Sequence, residues 1–330
     1  MVRWCLTSTT PPLSSSLGAM SVGRVIAGFV GITGVLVGVL GLFAFFTGHL
    51  VLLASFVPIL LVVAAIGTVV LAAVRQWVLV IVGAIVIVIG AVTQAPLFVE
   101  NSSAGADGRS VRLMQANLML GKADASALVA MVRDRNIDIL TVEELTDEAV
   151  EGLREAGLED VLLHQFLAPF TLGGGTGIYS RFPVSDGRNL DGYILGNLVA
   201  DLDVGASQPL TLFAVHPIAP FPRSSEWMSE MTRLRGDAAA VGDGTVVLSG
   251  DFNSTYSHRK FRDFFDDGFT DAADWLGAGI IPTYPTDMAY PPVVAIDHVL
   301  TKNADATSIE SFHIAGSDHR GLVADIRLAE

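Results

Sequence analysis

Ser249-Gly250-Asp251-Phe252-Asn253 and, further along, Ser317-Asp318-His319-Arg320 each stand where a strand is expected to end. A Gly-Asp-x-Asn turn puts a carboxylate and a carboxamide on one rim. A Ser-Asp-His turn brings a second carboxylate and an imidazole. Together they offer oxygen ligands for a hard cation and a group whose pKa lies near neutrality. Those are the requirements of phosphoester hydrolysis.

Outward from these stretches the chain alternates between strands and helices. Residues 111–116, 137–142, 177–180, 198–202, 210–215 and 246–248 read as strands, as do 294–300, 309–313 and 322–326. Helices are expected over 125–135, where Leu128, Val129 and Val132 keep helical spacing behind an Asp124 cap, and over 147–156 and 224–241. Several strands follow one another with no helix between them. That favours mixed sheets over a doubly wound parallel one.

The ordered motifs resemble the endonuclease/exonuclease/phosphatase superfamily of DNase I-like proteins. They are Gln115-Ala116-Asn117, Val142-Glu143-Glu144-Leu145, Gly177 to Pro183 (Gly-Ile-Tyr-Ser-Arg-Phe-Pro), His216, Gly250-Asp251-Phe252-Asn253, Ile296-Asp297-His298 and Ser317-Asp318-His319. The resemblance covers about 111 to 327 and implies an α/β (α+β) four-layer sandwich, two mixed sheets with helices outside. It also implies a divalent-metal site for Mg²⁺ or Mn²⁺.

Roles carry over by position. Glu144 matches the metal-binding glutamate, although Glu143 stands where the family usually has Gln, which leaves either acid as the ligand. Asn117 matches the amide beside the metal, and Asp318 a second metal-binding or water-orienting acid. Asp251 and Asn253 match the pair flanking the scissile phosphate. His319 matches the histidine paired with an aspartate, here Asp297, and His216 a donor to developing charge. The general base is left open between His319 and Asp251. Arg181 reads as a loop brace and His298 as a packed wall residue, while His49, His164, His258 and His313 read as structural or surface groups. Gly173-Gly174-Gly175-Thr176-Gly177 lacks Gly-Lys-Ser/Thr and precedes a strand, so it is a turn and no phosphate loop.

Residues 1–99 are of another kind, with Arg3, Arg24 and Arg75 as their only charged side chains. The apolar runs 22–46, 51–73 and 77–98 each reach the ~20 residues that span a hydrocarbon core. A signal peptide has one apolar region of about 7 to 15 residues, and these runs come three in succession. Nor do they keep the polar face of a soluble core helix. With connections as short as Thr47-Gly48-His49 and Arg75-Gln76, they predict an antiparallel three-span anchor. Residues 1–21 are Ser/Thr/Pro-rich and expected to be disordered, Met20 is an alternative start, and 100–110 reads as a linker before a catalytic domain at 111–330. Arg3, Arg24 and Arg75 fall on one side of the stack, which predicts an extracytoplasmic domain. Arg109 and Arg112 lean the other way. The single Cys5 excludes an intramolecular disulfide.

The chain holds 20 basic and 34 acidic residues; without the three arginines and Glu100 the remainder carries a net charge of −16. A general polyanion binder is excluded. Arg223, Arg259, Lys260, Arg262 and Arg320 follow the motifs and could form a local basic rim, so a nuclease-like phosphodiesterase is the leading expectation. A lipid-directed phosphodiesterase is the alternative, supported by membrane tethering and the apolar loop Ile218-Ala219-Pro220-Phe221-Pro222. A non-catalytic, membrane-anchored binding module on the same fold is the third reading. The expected partner is thus a phosphodiester, in nucleic acid or a phospholipid head group.

Overall fold

A computed structural model describes residues 22–101 and 108–329. The expectations for residues 1–21, for Met20 as a start and for most of the 100–110 linker lie outside the described residues.

Four helices come first: α1 (Val22–Thr47), α2 (Val51–Ala54), α3 (Val57–Ala73) and α4 (Trp77–Gln94). Two stretches, Val22–Thr47 and Trp77–Phe98, are long and apolar enough to cross a membrane by length and composition. The run 51–73 differs from the single span expected. It breaks at Ser55–Phe56, where Pro58 opens α3, a position that proline's fixed φ and missing N–H suit. That leaves α3 with 17 residues, about 25 Å of helix.

The helices stack antiparallel through small residues. A Cβ on Gly34 would lie 3.0 Å from the Gly67 Cα, and one on Gly67 only 2.8 Å from the Gly31 carbonyl. Further along, Gly38 faces Ala64 in the same descending order. Close backbone approach of this kind is what holds apolar helices together where no hydrophobic drive separates them from lipid.

The domain then runs β1 (Ser110–Asn117), α5 (Ala125–Asp134), β2 (Ile139–Leu145), α6 (Asp147–Glu155), β3 (His164–Ala168) and β4 (Gly175–Ser180). It continues with β5 (Val184–Asn189), β6 (Leu198–Leu202), β7 (Leu210–Val215), α7 (Ser224–Ala239), β8 (Thr245–Asp251) and α8 (Arg259–Arg262). The last elements are β9 (Thr270–Asp271), α9 (Ala272–Trp275), β10 (Asp297–Lys302), β11 (Ala304–His313) and β12 (Arg320–Leu328).

Two mixed sheets result, ordered β11-β12-β1-β2-β4-β3 and β5-β6-β7-β8-β10-β9. Leu113, Ile139, Leu198, Leu212, Val299 and Ala324 fill the space between them. Outside the first sheet, Leu128, Val132 and Leu153 of α5 and α6 cover Met114, Leu140 and Val142. Outside the second, Trp227, Met231 and Leu234 of α7 cover Phe213 and Leu248. The four-layer sandwich expected from the motifs is therefore present.

The strands missed from the sequence are β3, β5 and the two-residue β9. β5 is largely exposed along Ser185–Asn189 and carries no alternating apolar pattern. The strand expected from 294 begins only at Asp297, because Val294 pairs with Tyr284 in an isolated bridge.

The helices are clasped to the domain. Arg262 donates to the Phe45 carbonyl at 2.6 Å, and its guanidinium lies 3.6 Å from the centre of the Phe45 ring. His258 Nε2 lies 3.0 Å from the Val51 carbonyl oxygen. On the other side, Gly279 N donates to Leu97 O and Asn101 N to Trp275 O.

Candidate active site

Each sheet contains one parallel pair near its middle, β1 with β2 and β7 with β8. The carboxyl ends of all four strands meet at one end of the sandwich. Asn117, Glu144 and Asp251 stand on those ends, and His216 is the first residue beyond β7. The antiparallel β10 and β12 enter at the same end, so Asp297 opens one and His319 immediately precedes the other. This placement is why residues far apart in sequence converge.

The core between the sheets turns polar on approaching the site. Thr141 and Ser249 hydroxyls bond across it at 2.8 Å. One step nearer the rim, Gln115 Nε2 donates to Glu143 Oε2 at 2.6 Å and to Asp297 Oδ1 at 2.7 Å. Asp297 Oδ2 in turn lies 2.9 Å from His319 Nδ1. Fixing one imidazole nitrogen in this way leaves Nε2 to face the cleft.

Glu143 and Glu144 are separated by a bulge. The β2–β4 register shifts between Glu143 and Leu145, and Glu144 takes a left-handed φ of 56°. A bulge re-aims one side chain, and left-handed non-glycine residues gather at functional sites. Glu143 consequently points between the sheets with 0% exposure, while Glu144 turns to the rim. There its Oε2 accepts from Leu120 N at 2.6 Å and its Oε1 from Asn117 Nδ2 at 3.3 Å. Burial, reinforced by the Asp297 charge, holds the Glu143 carboxyl well above the ordinary range against the Gln115 hydrogen bond. Burial also raises Glu144.

Asn117 Nδ2 donates as well to Asp251 Oδ2 at 3.2 Å, so one amide spaces both rim carboxylates. Its Oδ1 is engaged by Met119 N. Both His319 Nε2 and His216 Nε2 lie 3.8 Å from Asp251 Oδ2, too far for a hydrogen bond. The three groups thus surround a gap. Burial first, then the Asp297 charge, lifts Asp251 to about 7. Burial alone would lower His319, but Asp297 outweighs it and brings the imidazole to about 10. Burial drives His216 down to about 3, so it is neutral at ordinary pH.

Asn253 N donates to Asp251 Oδ1 at 2.8 Å, and its side chain donates to the Pro217 carbonyl, tying the Asp251 loop to the His216 loop. Gly250 is required where these loops approach: a Cβ there would sit 2.0 Å from the Val215 carbonyl oxygen. Asp318 is half-buried, its Oδ1 is unpartnered among the described residues, and its charge raises Glu144 slightly.

The donor set at this end of the sandwich fits a divalent metal. Glu144, Asp251 and Asp318 offer hard carboxylate oxygens on one rim, one of them without a partner. Asp251, Asp297 and His319 also have ligand atoms within 4.8 Å of one another. Asp297 is already shared between His319 and Gln115, which leaves the rim acids as the better holders.

The profile of the Endonuclease/Exonuclease/phosphatase family matches residues 114–319. The chain belongs to that family. Endonuclease/Exonuclease/phosphatase proteins hydrolyse phosphoester bonds, and this chain is a hydrolase of that class. No curated protein matches it in sequence. Among solved structures, humanized D. rerio TDP2 with 14 mutations superposes with TM-score 0.56 at 15% identity, covering 66% of this chain and 99% of that one. D. rerio TDP2 complexed with a single-strand DNA product gives 0.54 at 14% identity, covering 66% and 99%. A Beutenbergia cavernae endonuclease/exonuclease/phosphatase gives 0.52 at 20% identity, covering 67% and 72%. At these identities the likeness is one of fold.

Sequence reading missed several supports. Asn197 receives His216 N and donates to His216 O, clamping that backbone from both sides. Glu230 on α7 accepts from Ile194 N and Ile218 N, fixing the loops beside it. The Tyr284 ring centre lies 4.8 Å from that of His319. Nothing local in the sequence marks these residues, since each acts on a segment remote in the chain. Arg181 is a brace as expected, donating to Ile137 O.

His298 is a packed residue at the back of the site. Its Nδ1 lies 2.6 Å from Asp271 Oδ2 and its Nε2 2.8 Å from Ser254 O. His298→Leu is expected to cost roughly 3 kcal/mol, the low end for removing one partner of a buried ion pair. The Ala273 and Asp274 amides still serve Asp271 and limit the loss. Thermal unfolding of the detergent-solubilised chain checks it, and an unchanged midpoint would contradict the pairing.

Proposed function

We propose that the chain is a membrane-anchored, divalent-metal-dependent phosphodiesterase whose site faces away from the cytoplasm. The gap bounded by Asp251, His216 and His319 at 3.8 Å carries the reading. A phosphoryl group presented at the mouth of this cluster meets an acid that handles water and two imidazoles that meet developing charge. His319, held by Asp297, presents Nε2 to a phosphoryl oxygen. His216, kept neutral by burial, is a hydrogen-bond donor for the other side. Asn253 sets the Asp251 carboxylate through its backbone N–H. Glu144 and Asp318, with Asn117 bonded to Glu144 beside them, are the holders of Mg²⁺ or Mn²⁺, which supplies charge neutralisation at the phosphate when bound. Hydrolysis joins water's oxygen to phosphorus and breaks one P–O ester bond. A proton passes to the departing alkoxide, leaving a phosphomonoester and an alcohol.

α1 and α4 support the anchor, and α3 with 17 residues is at the short end of spanning lengths. Arg24 and Arg75 stand on the side opposite the domain, which supports an extracytoplasmic site. Two measurements test the whole. Turnover of bis(p-nitrophenyl) phosphate by the full chain should vanish in excess EDTA and return with Mg²⁺ or Mn²⁺. Protease added to intact cells should release the domain; a domain protected until the membrane is opened would reverse the orientation.

A further inference from the structure

The apolar side chains that the domain leaves exposed are not scattered. Among the described residues after 108, ten large apolar side chains are exposed, and Leu163 alone lies at the end away from the site. The others stand on the loops that build the site. Leu120 follows β1, Phe170 and Leu172 lie between β3 and β4, and Phe221 follows His216. Met288 and Tyr290 follow Tyr284, whose ring packs on His319. Leu172 is 85% exposed and Phe221 69%. Side chains of this size left in water around one opening mark an interaction surface.

The helices identify what covers it. α1, α3 and α4 run antiparallel, so Phe45, Val51 and Leu97 all lie at one end of the stack. That end is clasped to His258 and Arg262, a few residues beyond Asp251-Phe252-Asn253. It is also clasped to Gly279, a few residues before Tyr284. A cavity at the junction is lined by Pro58, Ile59 and Leu97 from the helices and by Asp297 and His298 from the site strand. The catalytic end of the sandwich is therefore the end held against the apolar helices.

Four of the five cations that would favour nucleic acid are otherwise engaged, and Arg223 is left exposed beside Phe221. Arg259 and Lys260 pair with Asp263, Arg262 grips Phe45, and Arg320 is bonded to Ser311. The domain's −16 charge would also be repelled by anionic head groups, which leaves apolar insertion as the means of contact.

We propose that the mouth of the site is seated on the bilayer that holds α1, α3 and α4, with Phe170, Leu172, Phe221, Met288 and Tyr290 entering its interface. The phosphodiester it receives is one carried on a lipid. This rests on the anchored-phosphodiesterase reading above.

The test uses the full chain in vesicles of phosphatidylcholine and phosphatidylglycerol, in a Cys5→Ser background. Nitroxides are attached after Leu172→Cys, Phe221→Cys or Met288→Cys, with Leu163→Cys as the far-end reference and Val30→Cys within α1. The three rim labels should be relaxed more by oxygen than by an aqueous nickel chelate, and the label at position 163 the reverse. If position 30 is lipid-exposed while the rim labels are aqueous, the seating is overturned and the anchor stands. An aqueous position 30 overturns the anchor itself. In the same vesicles with Mg²⁺, lipid phosphodiester should be cleaved at least about tenfold faster than a single-stranded oligonucleotide. Lipid turnover no faster than that of the oligonucleotide overturns the lipid substrate. Absence of bis(p-nitrophenyl) phosphate turnover instead overturns the phosphodiesterase reading.

Discussion

His319→Ala should lower kcat on a soluble aryl phosphodiester by at least about a hundredfold, the low end of what a positioned proton-transfer group contributes. The substitution removes the imidazole that bridges Asp297 to the cleft and leaves the Asp297 carboxylate buried with only Gln115 as donor. Loss of charge complementarity in the transition state should appear in kcat, with KM changing far less. Asp297→Asn should reproduce part of the loss, since an amide cannot hold the imidazole as a carboxylate does. Thermal unfolding must be measured alongside, because the unpaired Asp297 will also lower stability. A folded His319→Ala enzyme within a few-fold of the parent would remove the mechanism.

The second large effect separates two acids that lie on one rim. Asp251→Asn and Glu144→Gln each preserve size and remove one charge. Glu144 meets only donors at the edge, Leu120 N and Asn117 Nδ2, so its loss should weaken metal occupancy and be partly restored by raising Mg²⁺. Asp251 faces both His319 and His216 across the gap, so its loss concerns the reacting groups and should leave the enzyme inactive at any metal concentration. Magnesium titrations of both variants decide it. Equal rescue would exchange the two roles, and a Glu143→Gln enzyme as impaired as Glu144→Gln would shift metal binding to the buried neighbour.

The sequence made the catalytic end legible because its motifs fall at strand ends, where the backbone leaves the ladder and a short polar side chain reaches the rim. Gly250-Asp251-Phe252-Asn253 shows why: glycine permits the approach to Val215, aspartate faces the cleft, and Phe252 packs into the core with Trp227. The choice between Glu143 and Glu144 was not legible. It depends on a bulge, and strand periodicity assigns faces only while register is regular. How far the basic rim is free was not legible for a similar reason. Arg259, Lys260, Arg262 and Arg320 do follow the motifs, but what they bond to is set by tertiary partners such as Phe45, Asp263 and Ser311. The middle apolar run met the length criterion as one stretch, and Pro58 with the turn at Ser55 divided it.

The position of β12 bears on how the site is put together. β12 is the last strand among the described residues, yet it lies between β11 and β1 in its sheet. Until it inserts, β1 has an unpaired edge, and His319, which precedes β12, is not opposite Asp297. Removal of the segment from His319 onward is therefore expected to leave both sheets begun, β1 with an open edge and Asp297 without its imidazole.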